Sequence, residues 1–209
     1  YGINEFIICC GYKGYVIKEF FSNYYLHSCD IKCKLSTKEV TVLRKNPEDW
    51  DITLIDTGLN TMTGGRLKRI REYINNETFC LTYGDGVSDL DISSLIRFHK
   101  DNNNVATLTA VQPPARFGAL DINKNNLING FQEKPIGSSG WVNGGFFVLE
   151  PSVIKEIKND STILETEILP KLAKEKKLFA FKHKGFWQPM DTLRDKMHLE
   201  KLWDNNQAL

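Results

Sequence analysis

The sequence predicts an α/β fold, and three observations predict it. Short β-prone apolar runs alternate with stretches of helical periodicity. Glycine, aspartate and proline clusters close the runs. The composition, 41% hydrophobic and 25% charged over 209 residues, is that of an ordinary globular chain. A chain of this length buries roughly 70% of its unfolded surface, enough for a core without disulfides, and one domain over 1–209 is expected.

The elements follow in order. Phe6-Ile7-Ile8-Cys9-Cys10, within 5–10, reads as a buried strand closed by Gly11. Residues 12–26 carry Val16, Ile17, Phe20, Phe21 and Tyr24 at helical spacing, which predicts an amphipathic helix. Two strands, 31–35 and 39–43, flank the turn Ser36-Thr37-Lys38, and 51–55 is a further short strand. A helix over 63–74 is entered through Gly64-Gly65. The strand 78–83 is ended by Gly84-Asp85-Gly86. The helix 91–100 has Asp89 or Asp91 near its cap, and 105–111 is a strand. Beyond Pro113-Pro114, strands at 118–122, 127–133 and 141–149 are separated by Asn- and Gly-rich turns. Helices at 151–157 and 166–174, a strand at 178–181 and a last helix from 191 to about 203 complete the chain. The first half reads as βαβ units with a parallel sheet, the second as mixed strands with flanking helices. Ligands of such sheets gather at the carboxyl ends of the strands.

Composition excludes several classes. With 27 Lys+Arg against 26 Asp+Glu, the net charge is +1, so no global field draws the chain to nucleic acid or to an anionic membrane. An anionic ligand must be held locally. Five cysteines form no disulfide framework, and Cys29 and Cys33 lack a second ligand pair for zinc; reduced thiols in a cytoplasmic protein are expected. No apolar stretch approaches the ~20 residues that span a bilayer.

Five segments could carry chemistry. In Tyr83-Gly84-Asp85-Gly86, an aspartate past an apolar strand can hold a hard cation such as Mg²⁺, or can simply satisfy its own turn. In Trp187-Gln188-Pro189-Met190-Asp191, Asp191 is a second such carboxylate, or an N-cap. In Phe131-Gln132-Glu133-Lys134-Pro135, Lys134 suits a phosphate and Glu133 suits sugar hydroxyls, against the plainer reading of exposed charges at a strand end. Asn143-Gly144-Gly145 within an apolar strand suggests a bulge or a close ligand approach. Thr61-Met62-Thr63-Gly64-Gly65-Arg66 opens a helix with backbone N–H groups free for an anion. Asp89-Leu90-Asp91 is a sixth pattern. A D-x-D can carry the metal of a glycosyltransferase, whereas a helix start at this point favours capping.

Taken in order, these segments resemble the sugar-phosphate nucleotidyltransferases over essentially the whole chain. Gly-Asp-Gly at 84–86 and Glu133-Lys134-Pro135 are shared broadly in that superfamily. Met62-Thr63-Gly64-Gly65-Arg66 and Phe186-Trp187-Gln188-Pro189-Met190-Asp191-Thr192 are similar to its cytidylyl-transferring branch. The resemblance implies a Rossmann-like mixed sheet, mostly parallel and flanked by helices. It implies transfer of a cytidylyl group from CTP to α-D-glucose 1-phosphate, giving CDP-glucose and pyrophosphate. Asp85 and Asp191 would be the Mg²⁺ ligands, and with Lys134 the catalytic set. Thr61, Arg66 and Gly84 would line the nucleotide side, with Gly64 and Gly65 near the base. Gly118, Glu133, Lys134 and Asn143 would hold the sugar phosphate. A homo-oligomer serving surface-polysaccharide synthesis in a bacterial cytoplasm is further implied. The rival readings are a metal-dependent glycosyltransferase using Asp89 and Asp91, and a non-catalytic sugar-nucleotide-binding subunit.

One departure stands at the front. The family's first strand, its phosphate-binding run Gly-Gly-x-Gly-Thr-Arg-Leu and a following Pro-Lys-Pro do not occur here, and the chain opens with Tyr1 in place of Met. An N-terminally truncated fragment of an active enzyme is therefore expected, with its first strand missing. The lost loop would cradle the triphosphate through charge-assisted hydrogen bonds, each worth about 1.5–3 kcal/mol, so its loss removes most of the rate. The 209-residue chain is expected to show negligible turnover of CTP and glucose 1-phosphate. Measurable CDP-glucose from the purified chain overturns this.

Overall fold

The computed structural model describes residues 1–43, 48–113, 119–122, 128–132 and 140–205. The chain forms two compact units, each drawn from two stretches: 1–75 with 154–168, and 76–153 with 169–209.

The first unit runs β1 (Glu5–Cys10), α1 (Gly14–Ser22), α2 (Tyr24–Ser28), β2 (Ile31–Lys34), β3 (Glu39–Val42), β4 (Asp51–Asp56) and α3 (Thr63–Arg69). β1 and β4 pair in parallel, from Glu5 opposite Asp51 to Cys10 opposite Asp56. Their carboxyl ends are tied by Thr57, whose N–H and hydroxyl both donate to the Cys10 carbonyl, at 2.9 and 2.8 Å. α1 lies close on β1 because residue 14 has no side chain: a Cβ there would stand 2.8 Å from the Cys10 Cβ. The single helix expected over 12–26 is divided at Asn23. Its side-chain amide and its backbone N–H both donate to the Glu19 carbonyl, which stops propagation in the way short polar side chains do. The apolar stripe of α1 is exposed, with Val16 at 47% and Phe20 at 51%. β2 and β3 form the expected hairpin, Ile31 opposite Val42. α3 stops at Arg69, and a 3-10 turn at Arg71–Tyr73 carries the chain on in place of the helix expected to 74. The returning stretch adds the wide helical turn Leu164–Ile168, which buries Leu164 and Ile168.

The second unit runs β5 (Phe79–Thr82), β6 (Gly86–Ser88), α4 (Ile92–Asp101), β7 (Ala106–Val111), β8 (Ala119–Ile122), β9 (Ile128–Gln132), β10 (Val142–Leu149), α5 (Ser152–Lys155), α6 (Leu169–Lys174), β11 (Leu178–Lys182), β12 (Trp187–Pro189) and α7 (Leu193–Asp204). Its main sheet has the order β11-β7-β10-β5. β11 is parallel to β7, while β10 runs antiparallel to β7 and to β5. The sheet is therefore mixed, as expected, with one parallel and two antiparallel pairings where a mostly parallel order was expected. β6 pairs with β12, and β8 with β9, each antiparallel. β6 was not expected from the sequence, because Gly84-Asp85-Gly86 reads as a plain stop.

β7 lies mid-sheet and is buried on both faces, and its apolar residues alternate with the buried threonines Thr107 and Thr109. Phe147, Val148 and Leu149 of β10 are at most 1% exposed and anchor the core. Beneath α4, the imidazole of His99 is 1% exposed and satisfied on both nitrogens, by Thr107 Oγ1 at 2.9 Å and Glu150 Oε1 at 3.2 Å. Thr78 donates to the same Glu150 oxygen at 2.6 Å, and Asn104 donates to Thr107 at 3.0 Å. Buried polar groups persist where a partner replaces water.

Phe147→Ala should cost about 3–5 kcal/mol and Leu149→Ala about 2–5 kcal/mol, because the cavity left behind adds to the lost burial. Val40→Ala, on the exposed hairpin at 56% exposure, should change stability by less than about 0.5 kcal/mol. Urea unfolding followed by circular dichroism checks all three.

Candidate functional site

The second unit holds a cavity just past the carboxyl end of β5. It is lined by Tyr83, Asp85, Asn143, Gly144, Trp187 and Asp191, among others. The β6–β12 ladder brings its two acids together. Gly86 pairs with Pro189, Val87 with Gln188 and Ser88 with Trp187. The Met190 N–H donates to the Asp85 carbonyl at 2.7 Å and extends the ladder by one step. Asp85 and Asp191 therefore leave the ladder at the same end, on opposite strands.

Neither carboxylate is spent on the backbone among the described residues. The expectation that Asp191 could be an N-cap is corrected. The cap of α7 is Thr192, whose hydroxyl accepts from the Asp195 N–H at 3.2 Å, while Asp195 Oδ2 accepts the Thr192 N–H at 2.9 Å. This reciprocal capping box leaves the side chain of Asp191 outside the helix start.

The wall opposite is the bulge of β10, where pairing with β7 shifts between Asn143 and Phe147. Gly145 sits at φ +80, and a Cβ there would lie 2.8 Å from the Tyr83 ring, so the bulge needs glycine twice over. Its N–H donates to Asn143 Oδ1 at 2.9 Å, which fixes the amide and turns Nδ2 into the group left to donate. The Trp187 indole N–H donates to the Gly144 carbonyl at 2.8 Å and ties β12 to the bulge. A Cβ on Gly84 would meet open space, so packing does not demand glycine there.

Two acids lining one cavity could share a cation. Among the described residues no group of three or more His, Cys, Asp or Glu gathers to hold a metal. Two carboxylates with open space beside them suit Mg²⁺, which binds one or two carboxylates and fills its shell with water and phosphate oxygens.

The remaining candidates of the first unit have other surroundings. Gly64 and Gly65 are packing residues. A Cβ on Gly65 would come within 2.3 Å of the Asp160 carbonyl oxygen, and one on Gly64 within 2.8 Å of the Thr162 carbonyl oxygen. The expectation of free N–H groups at this turn is corrected for Gly65, which donates to Thr162 O at 3.2 Å. Thr61 is buried at 7% exposure. The guanidinium of Arg66 donates to Thr57 Oγ1 at 2.6 Å and to the Cys10 carbonyl at 3.2 Å, bracing the carboxyl ends of β1 and β4. Burial pushes the Cys9 thiol above its ordinary range, and the charge of Arg66 opposes this. Gly118, Glu133 and Lys134 lie outside the described residues.

The D-x-D pattern is resolved by its partners. Asp91 caps α4, accepting from the Ser94 N–H at 3.1 Å and the Ser94 hydroxyl at 2.6 Å, contacts that hold its carboxyl below the usual range. Asp89 pairs with His183 at 2.9 Å. Both acids are engaged by protein groups. Sequence reasoning did not single out Tyr83, Gly144 or Trp187 as lining residues. A tryptophan between Gly185 and Pro189 was the available sign.

The fold is that of an α/β protein with two acids in a crevice, and comparison with known proteins gives the class, the nucleotidyltransferases. Residues 2–201 match the nucleotidyl transferase family. The chain is 56% identical over all 209 residues to the glucose-1-phosphate cytidylyltransferase of Salmonella typhimurium, covering 81% of that relative. Among solved structures, HddC from Yersinia pseudotuberculosis superposes with a TM-score of 0.66 at 22% identity, over 97% of this chain and 80% of that one. UDP-glucose pyrophosphorylase complexed with UDP-glucose gives 0.64 at 14% identity, over 98% of this chain and 82% of that one. These two likenesses concern the fold. The chain belongs to the nucleotidyl transferase family, and is an enzyme of that class.

The glycines separate by experiment. Gly65→Ala should destabilise the protein by at least about 1–3 kcal/mol through overpacking against backbone. Gly84→Ala should leave the melting temperature unchanged and weaken nucleotide binding. Thermal melts with and without CTP and Mg²⁺ check both.

Proposed function

We propose that this chain transfers the cytidylyl group of CTP to α-D-glucose 1-phosphate, forming CDP-glucose and pyrophosphate, with Mg²⁺ held by Asp85 and Asp191. The observation that carries the reading is the arrival of these two acids, from distant parts of the chain, in one cavity. The choice of CTP and glucose 1-phosphate is supported by the relative that is 56% identical over the full chain.

A phosphate oxygen of glucose 1-phosphate bonds to the α-phosphorus of CTP, and the bond to the pyrophosphate oxygen breaks, its electrons leaving with pyrophosphate. The attacking oxygen is already anionic, so no protein base is required. Catalysis is alignment and charge neutralisation. When bound, Mg²⁺ supplies charge that offsets the phosphates. Asp85 and Asp191 hold that charge in place. Asn143 offers its Nδ2 to a sugar hydroxyl, Glu133 accepts from another, and Lys134 screens the attacking phosphate. Gly84 leaves room for the nucleotide beside Asp85. Thr61, Gly64, Gly65 and Arg66 act on the nucleotide side through the framework they brace.

The glycosyltransferase reading is disfavoured by the capping role of Asp91 and the His183 partner of Asp89. A binding subunit without catalysis would take up CTP and Mg²⁺ without releasing pyrophosphate.

The test offers the full-length protein each of the four common nucleoside triphosphates with glucose 1-phosphate and Mg²⁺. Product should form with CTP, stop on chelation with EDTA, and fall at least about 100-fold in Asp85→Asn and Asp191→Asn, the scale set by loss of a preorganised charge contact. Equal rates with UTP, or undiminished turnover in Asp85→Asn, overturn the proposal.

A further inference from the structure

The end of the β6–β12 ladder away from the two acids carries a cluster that the proposed chemistry does not use. His183 follows β11, and its N–H donates to the Ala110 carbonyl of β7 at 2.9 Å, so its backbone belongs to the main sheet. Its side chain is 11% exposed. Nε2 lies 2.9 Å from Asp89 Oδ1, 3.2 Å from Ser88 Oγ and 3.2 Å from the Phe186 carbonyl. Ser88 spends its own proton on Phe186 O at 2.8 Å and accepts the Leu90 N–H at 3.2 Å. All three neighbours of Nε2 are therefore acceptors, and the assignment follows that Nε2 carries the proton. The cluster closes only over a glycine. A Cβ at residue 185 would stand 2.3 Å from Asp89 Oδ1 and 2.7 Å from His183 Cε1.

We propose that His183 and Asp89, closed over Gly185, are positioning residues: a clasp that sets the register of the β6–β12 ladder and so fixes the spacing of the two acids at its other end. The proposal rests on the reading that Asp85 and Asp191 hold a divalent cation. The ladder is only three residue pairs long, with Asp89 N–H to Phe186 O at 3.2 Å beyond one end and Met190 N–H to Asp85 O at 2.7 Å beyond the other. A pairing this short has little of its own to resist slipping. A slip of one residue reverses the side-chain faces of one strand relative to the other and puts a residue other than Met190 across from Asp85, so the spacing of the two acids changes. The clasp opposes the slip because His183 is held by β7 while Asp89 and Ser88 belong to the β6 side. It attaches the ladder to the larger sheet at one defined step. Outer contacts of this kind orient metal-binding carboxylates without touching the ion.

Terbium(III) is the probe for the cation site, because Trp187 lines the cavity and sensitises its luminescence. The unaltered chain should give emission that Mg²⁺ displaces and that Asp85→Asn abolishes. Asp89→Asn and Gly185→Ala should weaken terbium binding by about 10–100-fold, the usual cost of losing an outer-shell partner, with the global melt unchanged. His183→Gln, whose amide can still donate to Asp89, should keep more affinity than His183→Ala. Hydrogen exchange at the Met190 amide reads the ladder without any ion and should quicken in Asp89→Asn and Gly185→Ala. Unchanged exchange overturns the clasp, as does quickened exchange with terbium affinity intact. If Asp85→Asn leaves the emission untouched, the cation reading fails, and the Met190 exchange still decides the register.

Discussion

Two acids from distant parts of the chain line one cavity of the second unit, and the short β6–β12 ladder brings them there. The Met190 N–H donating to the Asp85 carbonyl is the local contact that does so. It extends the two-stranded ladder by one step, so that Met190 stands across from Asp85 and Asp191 lies one residue beyond. Under the proposed reading the two acids would share a cation, which needs only one or two carboxylates when phosphate oxygens and water complete its shell.

The neighbouring features follow from that constraint. α7 must start beyond Asp191 without consuming it, and the reciprocal pair Thr192–Asp195 accomplishes this by capping the helix one residue later. The bulge of β10 turns its backbone toward the cavity. Two hydrogen bonds then settle its wall: Gly145 N–H fixes Asn143, and the Trp187 indole fixes the Gly144 carbonyl. A single tryptophan thus links the strand that precedes one acid to the strand that carries the sugar-binding candidate.

Glycine serves distinct purposes in the same molecule. At residue 65 it admits the backbone of Asp160, and at residue 185 it lets an imidazole and a carboxylate meet. At residue 84, among the described residues, no protein atom occupies the space a Cβ would take. These differ in what fills the missing side chain's volume, a property that the run Thr63-Gly64-Gly65 or Tyr83-Gly84-Asp85 does not display by itself.

The alternation of apolar runs and helical periods was enough to place nearly every strand and helix, because those patterns record which face is buried. It also located Asp85, Asp191 and Asn143, since an acid or amide beside glycine at a strand end is a local feature. Three things were not legible in those patterns. The first helix divides at Asn23, whose side-chain amide joins its own backbone N–H on the Glu19 carbonyl. The short strand β6 exists only because β12 pairs with it, across about a hundred residues of chain. The role of Gly65 was decided by the loop at 159–162, which takes its N–H. Sequence by itself determined the order of elements and which side chains were chemically able to act. Tertiary structure alone decided which of them are free to act, because a carboxylate that caps a helix and one that lines a cavity are the same residue until its partners are known.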